Sequence, residues 1–154
     1  MKYKVIQKET FLVHGLWVQL TTSQSDNFKI ITKHWQYFNH QLKINQIEFQ
    51  NNWLKFAITK KINNEYFYLT AIPYTIDIKG FKKEEILGGN FISFEHIGAL
   101  NLIKFTLLNI YKKFLPNSSF KLDNNRKLIH FEQYDYRFKW NKPNSIIEIY
   151  LPLL

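Results

Sequence analysis

The pattern Glu-x-Tyr occurs twice near the end of the chain, as Glu132–Tyr134 and as Glu148–Tyr150. Apolar and polar residues alternate around both copies, which is the spacing of β-strands. Residues two apart in a strand share a face, so each copy places a carboxylate and a phenol on the same side of its strand. If the apolar faces of both strands meet the helices, the two Glu–Tyr pairs point together to the other side of the sheet.

A carboxylate on an aromatic surface is suited to binding a cation, because burying it without a partner is costly. A ligand cation about 4 Å away would gain roughly 4 kcal/mol at an effective dielectric near 20. The aromatic faces of Trp17, Tyr68 or Tyr134 would each add about 0.5–2 kcal/mol. These residues predict a site for a lipophilic cation or a flat aromatic molecule. The alternative is that Glu132 is a surface glutamate paired with a lysine, since most glutamates are exposed.

The composition excludes several kinds of site. The chain has no cysteine, which rules out disulfides, thiolate metal sites and thiol nucleophiles. The five histidines have no metal-ligand spacing, and no cofactor motif is present, so we expect neither a metal nor a cofactor. Aromatic residues make up 18% of the chain, which is more than a core of this size needs, and some of them are expected to line a cavity.

The formal net charge of +9 comes from lysines scattered along the chain rather than from a dense basic stripe. We therefore interpret the charge as a composition bias and expect no direct DNA binding. The alternative is a nucleic-acid or anionic-surface partner. The positive charge opposes cation binding at long range, but salt screens it beyond about 8–10 Å, so a local carboxylate dominates.

Two segments carry apolar residues at alternating steps of three and four, which predicts helices with one core-facing stripe each. Asp26 is positioned to cap the first helix, and Pro116 ends the second. The stripe residues are Phe28, Ile31, Trp35, Phe38 and Leu42 in the first helix and Leu100, Ile103, Leu107, Ile110 and Phe114 in the second.

Alternating apolar segments predict six strands, and the order strand, helix, strand, strand occurs twice. The strands are expected at residues 11–20, 53–59, 66–74, 90–97, 128–134 and 146–151. We predict one domain over residues 1–154, built from pseudo-repeat halves of about 1–79 and 86–154, with a boundary at Asp77–Leu87. The fold class is α+β, with a curved, mostly antiparallel sheet, two helices on one side and a concave ligand cleft on the other.

Five segments, taken in their order and spacing, resemble the GyrI-like small-molecule-binding family, which also forms the effector-binding half of some multidrug-responsive transcription activators. The resemblance covers nearly the whole chain, and the segments are Tyr68–Pro73, Gly88–Gly98, Phe114–Ser118, Phe131–Asp135 and Ile147–Pro152. Trp35 occupies the position of a tryptophan that the family carries on its first helix. Two positions depart from the family pattern, since Phe91 replaces the usual tyrosine and Phe114 replaces a tryptophan.

The resemblance implies that Glu132 is the central glutamate of a ligand pocket. The residues expected to bind the ligand are Trp17, Trp35, Tyr68, Phe91, Glu132, Tyr134, Glu148 and Tyr150. The leading hypothesis is a stand-alone domain that senses or sequesters a hydrophobic small molecule, either cationic or aromatic. We expect it in the cytoplasm, because neither a secretory signal nor an apolar run of about 18 residues is present.

Two other functions stay open. Some stand-alone members of the family hydrolyse reactive, cyclopropane-containing DNA-alkylating compounds, and Glu132 with Glu148 or a tyrosine would then activate a water. The family also includes gyrase inhibitors and parts of transcription regulators, so gyrase or a regulator is a candidate partner. Strand-like sequence begins by Phe11 with no added helix-turn-helix, which is why sequence-specific DNA reading is not expected.

Overall fold

Eight antiparallel strands form one sheet in the computed structural model, which describes residues 1–154. The strands are β1 (Tyr3–Lys8), β2 (Phe11–Gln19), β3 (Lys55–Ile62), β4 (Glu65–Pro73), β5 (Lys82–Ile86), β6 (Gly89–Ile97), β7 (Leu128–Tyr134) and β8 (Ile146–Pro152). The helical segments are α1 (Gln24–Ile44), a 3₁₀ turn (Leu100–Leu102), α2 (Ile103–Asn109), a π-helical turn (Ile110–Phe114) and a second 3₁₀ turn (Leu115–Asn117). The predicted α+β class is confirmed.

The strand order is β1-β6-β8-β7-β3-β4-β2-β5, so β7 and β3 pair at the centre of the sheet. Outward from this central pair, the order is β3, β4, β2 on one side and β7, β8, β6 on the other. These strands occupy equivalent positions in the two predicted repeats. In the register of the central pair, Glu132 of β7 lies opposite Ala57 of β3. The carboxylate singled out by the sequence is therefore carried by the middle of the sheet, where the two halves meet.

Six of the eight strands lie where the alternation predicts them, whereas β1 and β5 are not predicted. Both of these strands are sheet edges, with β1 beside β6 and β5 beside β2. β5 consists mostly of lysine and glutamate. Charge is typical of an edge strand, because one side of it has no pairing partner and faces water. The stretch Asp77–Leu87, interpreted as a boundary, thus contains a strand of the sheet.

The sheet curls until its two edges approach each other. The Gly88 N–H donates to Oγ1 of Thr10 at 2.9 Å, and a Cβ at Gly88 would lie only 2.3 Å from the Lys8 carbonyl oxygen. Only glycine tolerates this close approach. The inside of the curl is filled by buried apolar side chains, including Phe131 and Tyr150, whose rings stack with centroids 4.7 Å apart. The concave side, expected to hold a ligand cleft, is therefore a packed core.

Both helices pack on the other face of the sheet. α1 packs on β2 and β4 and buries Trp35, Phe38 and Leu42, as its stripe predicts. The segment after α2 buries Ile110 among residues of β6 and β8. The hydroxyl of Ser23, rather than Asp26, caps α1 by accepting the Asp26 N–H at 3.4 Å.

Because each helix covers its own part of the sheet, a gap stays open between the two helices above the central strands. Neither α1 nor α2 combines the length and the apolar character that a membrane-spanning helix requires.

Candidate ligand-binding site

A cavity of about 510 Å³ fills the gap between the two helices, and the centre of the sheet forms its floor. This volume lies within the range of roughly 300–1,000 Å³ that is typical of small-molecule sites. The walls are mostly apolar, and the apolar residues facing the cavity from the helices include Phe28, Ile31, Trp35, Ile103 and Leu107. Much of the two helix stripes, predicted to be core, therefore faces this cavity.

Glu132 places a carboxylate at the floor of the cavity, with only 5% of the residue exposed. One of its oxygens accepts a hydrogen bond from the Tyr134 hydroxyl at 2.5 Å. The other lies 3.8 Å from Nε2 of His130, which is a cation only when protonated. No lysine or arginine forms an ion pair with Glu132, although Lys104 and Lys112 line the cavity. The floor therefore carries a buried carboxylate without a permanent cationic partner.

Three tyrosines surround this carboxylate, and each keeps its phenol proton. Burial in the first place, and the Glu132 charge in the second, raise the pKa of Tyr68, Tyr111 and Tyr134. The Tyr68 hydroxyl accepts the indole N–H of Trp35 at 2.9 Å. Neutral phenols bring no opposite charge to Glu132, and neither Lys104 nor Lys112 forms an ion pair with it across the cavity.

The structure brings four of the eight predicted ligand-binding residues together. Trp35, Tyr68, Glu132 and Tyr134 all line the large cavity. Trp35 comes from α1, and the other three come from strands β4 and β7. They meet because the strand side chains point toward the helices and Trp35 points toward the sheet.

The other four predicted residues lie on the opposite face of the sheet. Phe91 and Tyr150 are buried inside the curl, and Trp17 packs against the same cluster, 5.9 Å from the Lys60 ammonium. The expectation that both Glu–Tyr pairs share a face is wrong. In the pairing of β7 with β8, Glu132 lies opposite Ile149, whereas Glu148 lies opposite Gln133. The two glutamates therefore point away from each other, through opposite faces of the sheet.

Glu148 has a cationic partner of its own. Its carboxylate accepts hydrogen bonds from the Tyr150 hydroxyl and from the Arg137 guanidinium, the latter at 2.8 Å. Arg137 also binds Asp135 at 2.7 Å. Burial alone would raise the pKa of Glu148, but the hydrogen bonds from Tyr150 and Arg137 hold it below its usual value. Asp135, Arg137 and Glu148 thus form an internal network of charges, in which both carboxylates are paired with the guanidinium.

Three aromatic residues of the cavity are outside the predicted ligand-binding set, namely Phe28, which was expected in the core, Tyr111 and Trp140. Tyr111 lies in the π-helical turn, four residues after the stripe residue Leu107, and its hydroxyl lies 3.1 Å from Nδ1 of His130. π-helical turns occur often at functional sites. Trp140 lines the cavity from the loop between β7 and β8, in a left-handed backbone conformation with φ of 36°. A large exposed aromatic in a loop is the signal that points to it.

Residues 4–153 match the family model Cass2, described as integron-associated effector binding protein. The chain also has the fold of SAV2435 bound to tetraphenylphosphonium, with 15% identity, a TM-score of 0.78, and coverage of 100% of this chain and 94% of that chain. The EcmrR C-terminal domain matches with 11% identity and a TM-score of 0.64, covering 99% of this chain and 97% of that domain.

A hydrolase from Listeria innocua has the same fold at 10% identity and a TM-score of 0.57, covering 99% of this chain and 92% of the hydrolase. No curated protein sequence matches the chain. The cavity and the family model agree on a small-molecule-binding domain. Because the model matches nearly every residue, the chain belongs to the Cass2 family of integron-associated effector-binding proteins, a GyrI-like family.

Proposed function

We propose that this chain binds hydrophobic organic cations in the cavity between α1 and α2, and that it acts as an effector sensor or as a sequestering protein. The observation that carries the proposal is the environment of Glu132. This carboxylate is buried at the floor of an apolar cavity, and no lysine or arginine pairs with it. A cationic ligand would supply the partner that the chain itself does not.

The energy of such a complex comes from two sources. A charge about 4 Å from the Glu132 carboxylate gains roughly 4 kcal/mol at an effective dielectric near 20, before the loss of ligand hydration is subtracted. Aromatic faces at the ligand add about 0.5–2 kcal/mol each, and Trp35, Tyr68 and Tyr111 line the same cavity. Because stacking and cation–π contacts tolerate many shapes, the site would accept a range of flat or bulky aromatic cations.

Two probes of almost equal shape and opposite charge test the proposal directly. Tetraphenylphosphonium is a cation, tetraphenylborate is an anion, and their binding is measured by calorimetry with the wild-type chain and with Glu132→Gln. We expect the wild type to prefer the phosphonium. We expect Glu132→Gln to lose about 10–100-fold in phosphonium affinity, which corresponds to about 1.4–2.7 kcal/mol, and to lose the preference for the cation.

Glu148→Gln is the matched control, because it makes the same change in the second Glu-x-Tyr pair on the far side of the sheet. Its phosphonium affinity should equal that of the wild type. If Glu132→Gln binds both probes as the wild type does, the proposed role of the carboxylate is rejected. Circular dichroism of each variant verifies that the fold is intact.

A second function is favoured by the hydrogen-bonded groups at the same floor. Glu132 would take a proton from water as the water oxygen bonds to a strained ring carbon of a cyclopropane-containing alkylating compound. As the ring bond breaks, the Tyr134 hydroxyl, which already donates to Glu132, would protonate the released group and take up in exchange the proton that Glu132 received from the water. Glu148 takes no part in this version, because it lies on the other face.

The hydrolase hypothesis is tested by following such a compound in single-turnover and multiple-turnover reactions with the wild type and Glu132→Gln. Repeated turnover that Glu132→Gln abolishes supports an enzyme. Stoichiometric binding without product supports the sensor or sequestering role.

Sensing differs from sequestration because it requires a partner protein that binds the ligand-bound chain and the ligand-free chain differently. A transcription regulator or gyrase is the partner class that we propose for it. Binding of purified gyrase to the immobilised chain, measured with and without tetraphenylphosphonium, separates the two roles. A ligand-dependent complex supports sensing through gyrase, and gyrase binding that does not respond to the ligand rules gyrase out as that partner.

A further inference from the structure

A second, smaller cavity of about 170 Å³ adjoins the large one. The two share four lining residues, which are Trp35, Leu100, Tyr134 and Trp140. The small cavity is otherwise enclosed by Asn39, Trp53, Lys55 and Phe138. An apolar cavity of about 150 Å³ holds one benzene ring, so this space accommodates a single substituted aromatic ring.

Lys55 gives this small cavity a positive charge. Its side chain is half-buried, and its ammonium donates one hydrogen bond, to Oδ1 of Asn39 at 2.9 Å. The ammonium also lies 4.9 Å from the ring of Phe49 and 5.7 Å from that of Trp53. An ammonium group has three N–H donors, so two of them have no side-chain acceptor in the protein. Burial lowers the pKa of Lys55, and an anion beside it would oppose that effect.

Lys55 and Glu132 are diagonal neighbours on one face of the sheet. Lys55 lies opposite Tyr134 in the pairing of β3 with β7, and Glu132 is two residues from Tyr134 along β7. Such diagonal positions are about 7–8 Å apart, within reach of two long side chains. The two opposite charges nevertheless form no ion pair. Lys55 instead lines the small cavity and Glu132 the large one, and Tyr134 lines both.

We infer that the small cavity is a second subsite, which takes an aromatic ring carrying a carboxylate and binds that carboxylate through the Lys55 ammonium. The ring would lie among Trp35, Trp53 and Trp140, and the carboxylate would accept the two available N–H donors. A ligand with one cationic and one anionic end would then span both cavities. That extension rests on the proposed function, whereas the aryl-carboxylate subsite does not.

The test uses two probes that differ in charge, 4-fluorobenzoate and 4-fluorobenzyl alcohol, with affinities measured by fluorine NMR on the full chain. Lys55→Met removes the ammonium and keeps most of the stem. It should weaken 4-fluorobenzoate binding by at least about tenfold, the loss for one hydrogen bond to a charged group. The alcohol should bind both proteins almost equally.

Lys61→Met is the matched control, because it removes the same charge from an exposed side chain of the same strand, β3, that lines neither cavity. It should leave 4-fluorobenzoate affinity within about twofold of the wild type, since long-range charge effects are screened. Lys55→Arg keeps the charge and should retain the preference for the carboxylate.

Contacts between the probe and the protein locate it independently of any variant. Nuclear Overhauser effects from 4-fluorobenzoate to the indole of Trp53 support the subsite. Contacts to Tyr111 instead of Trp53, equal affinity in Lys55→Met and wild type, or no saturable benzoate binding would each overturn the inference. None of these outcomes bears on cation binding at Glu132, because neither probe carries a positive charge.

Discussion

The two Glu-x-Tyr pairs have the same spacing and lie on opposite faces of one sheet, yet their surroundings differ in one decisive respect. Glu148 accepts a hydrogen bond from the Arg137 guanidinium at 2.8 Å. Glu132 has no guanidinium or ammonium partner, only the Tyr134 hydroxyl and a histidine nitrogen 3.8 Å away. The first carboxylate is already paired within the protein, whereas the second is available to a ligand.

The curl of the sheet explains why the faces differ. On the concave side the strands approach one another and their side chains fill the space, as the stacked rings of Phe131 and Tyr150 show. On the other side, two helices pack on the sheet and leave a gap between them. An identical motif is thus part of the packing on one face and part of a cavity on the other. The motif itself therefore does not distinguish the two sites. They differ in whether a cation such as Arg137 lies beside the glutamate and in how densely the surrounding side chains pack.

Truncating one aromatic ring on each face should give the largest difference. Phe131 is fully buried in the concave core, and Phe131→Ala should lower the free energy of unfolding by about 3–5 kcal/mol through the cavity it leaves. Phe28 lines the ligand cavity and is 49% exposed, so Phe28→Ala should cost less than about 1 kcal/mol. Urea unfolding measures both. Similar losses for the two variants would show that the faces are packed alike.

Removing the charge of Glu148 should have the next largest effect on stability. Glu148→Gln weakens hydrogen bonds from Arg137 and Tyr150, and we expect a loss of about 2 kcal/mol at neutral pH. Because the pKa of Glu148 is held below its usual value of 4.5, the carboxylate stabilises the fold above that pH. This contribution is lost as the pH falls through the lowered pKa.

The difference in unfolding free energy between wild type and Glu148→Gln should therefore be constant at neutral pH and shrink below about pH 4.5. Urea unfolding over a series of pH values measures it. A difference that stays constant into acid would mean that the Glu148 charge does not stabilise the folded state.

Most of the strands and both helices are predictable from the sequence, because their apolar spacing is regular. The two edge strands are not, since β5 is mostly charged and β1 pairs on one side only. Alternation also shows correctly that Glu132 and Tyr134 share a face. It does not show which face meets the helices, because both faces are buried here: Phe131 packs inside the curl and Tyr134 beneath the helices.

The sequence predicts only some of the residues that line the cavity. Local spacing brings Glu132 and Tyr134 together, but the prediction that Glu148 joins them requires one common face, which the register of β7 with β8 excludes. Tyr111 lies four residues after Leu107, so α-helical spacing allows it on the same face, but a stripe continued through Ile110 leaves it out. Such long-range placements depend on strand register and helix geometry, which a single sequence does not display.

Neutralising Glu132 should have a much smaller effect on stability than neutralising Glu148. Glu132→Gln removes a buried charge that lacks a cationic partner, so the free energy of unfolding should stay within about 1 kcal/mol of the wild type or rise slightly. The same urea unfolding experiment compares the two variants at neutral pH. A large loss for Glu132→Gln would mean that its charge is needed for folding, and the contrast between the pairs would disappear.

The smallest effect should come from removing the Tyr111 hydroxyl while keeping its ring. Tyr111→Phe deletes the contact with His130 and should cost about 0.5–1 kcal/mol in stability. Its tetraphenylphosphonium affinity should change by less than about threefold, because the aromatic face that attracts the cation remains. Tyr111→Leu removes that face and should weaken binding by about 3–10-fold. Calorimetric titration decides between ring and hydroxyl, since equal losses in Tyr111→Phe and Tyr111→Leu would assign recognition to the hydroxyl.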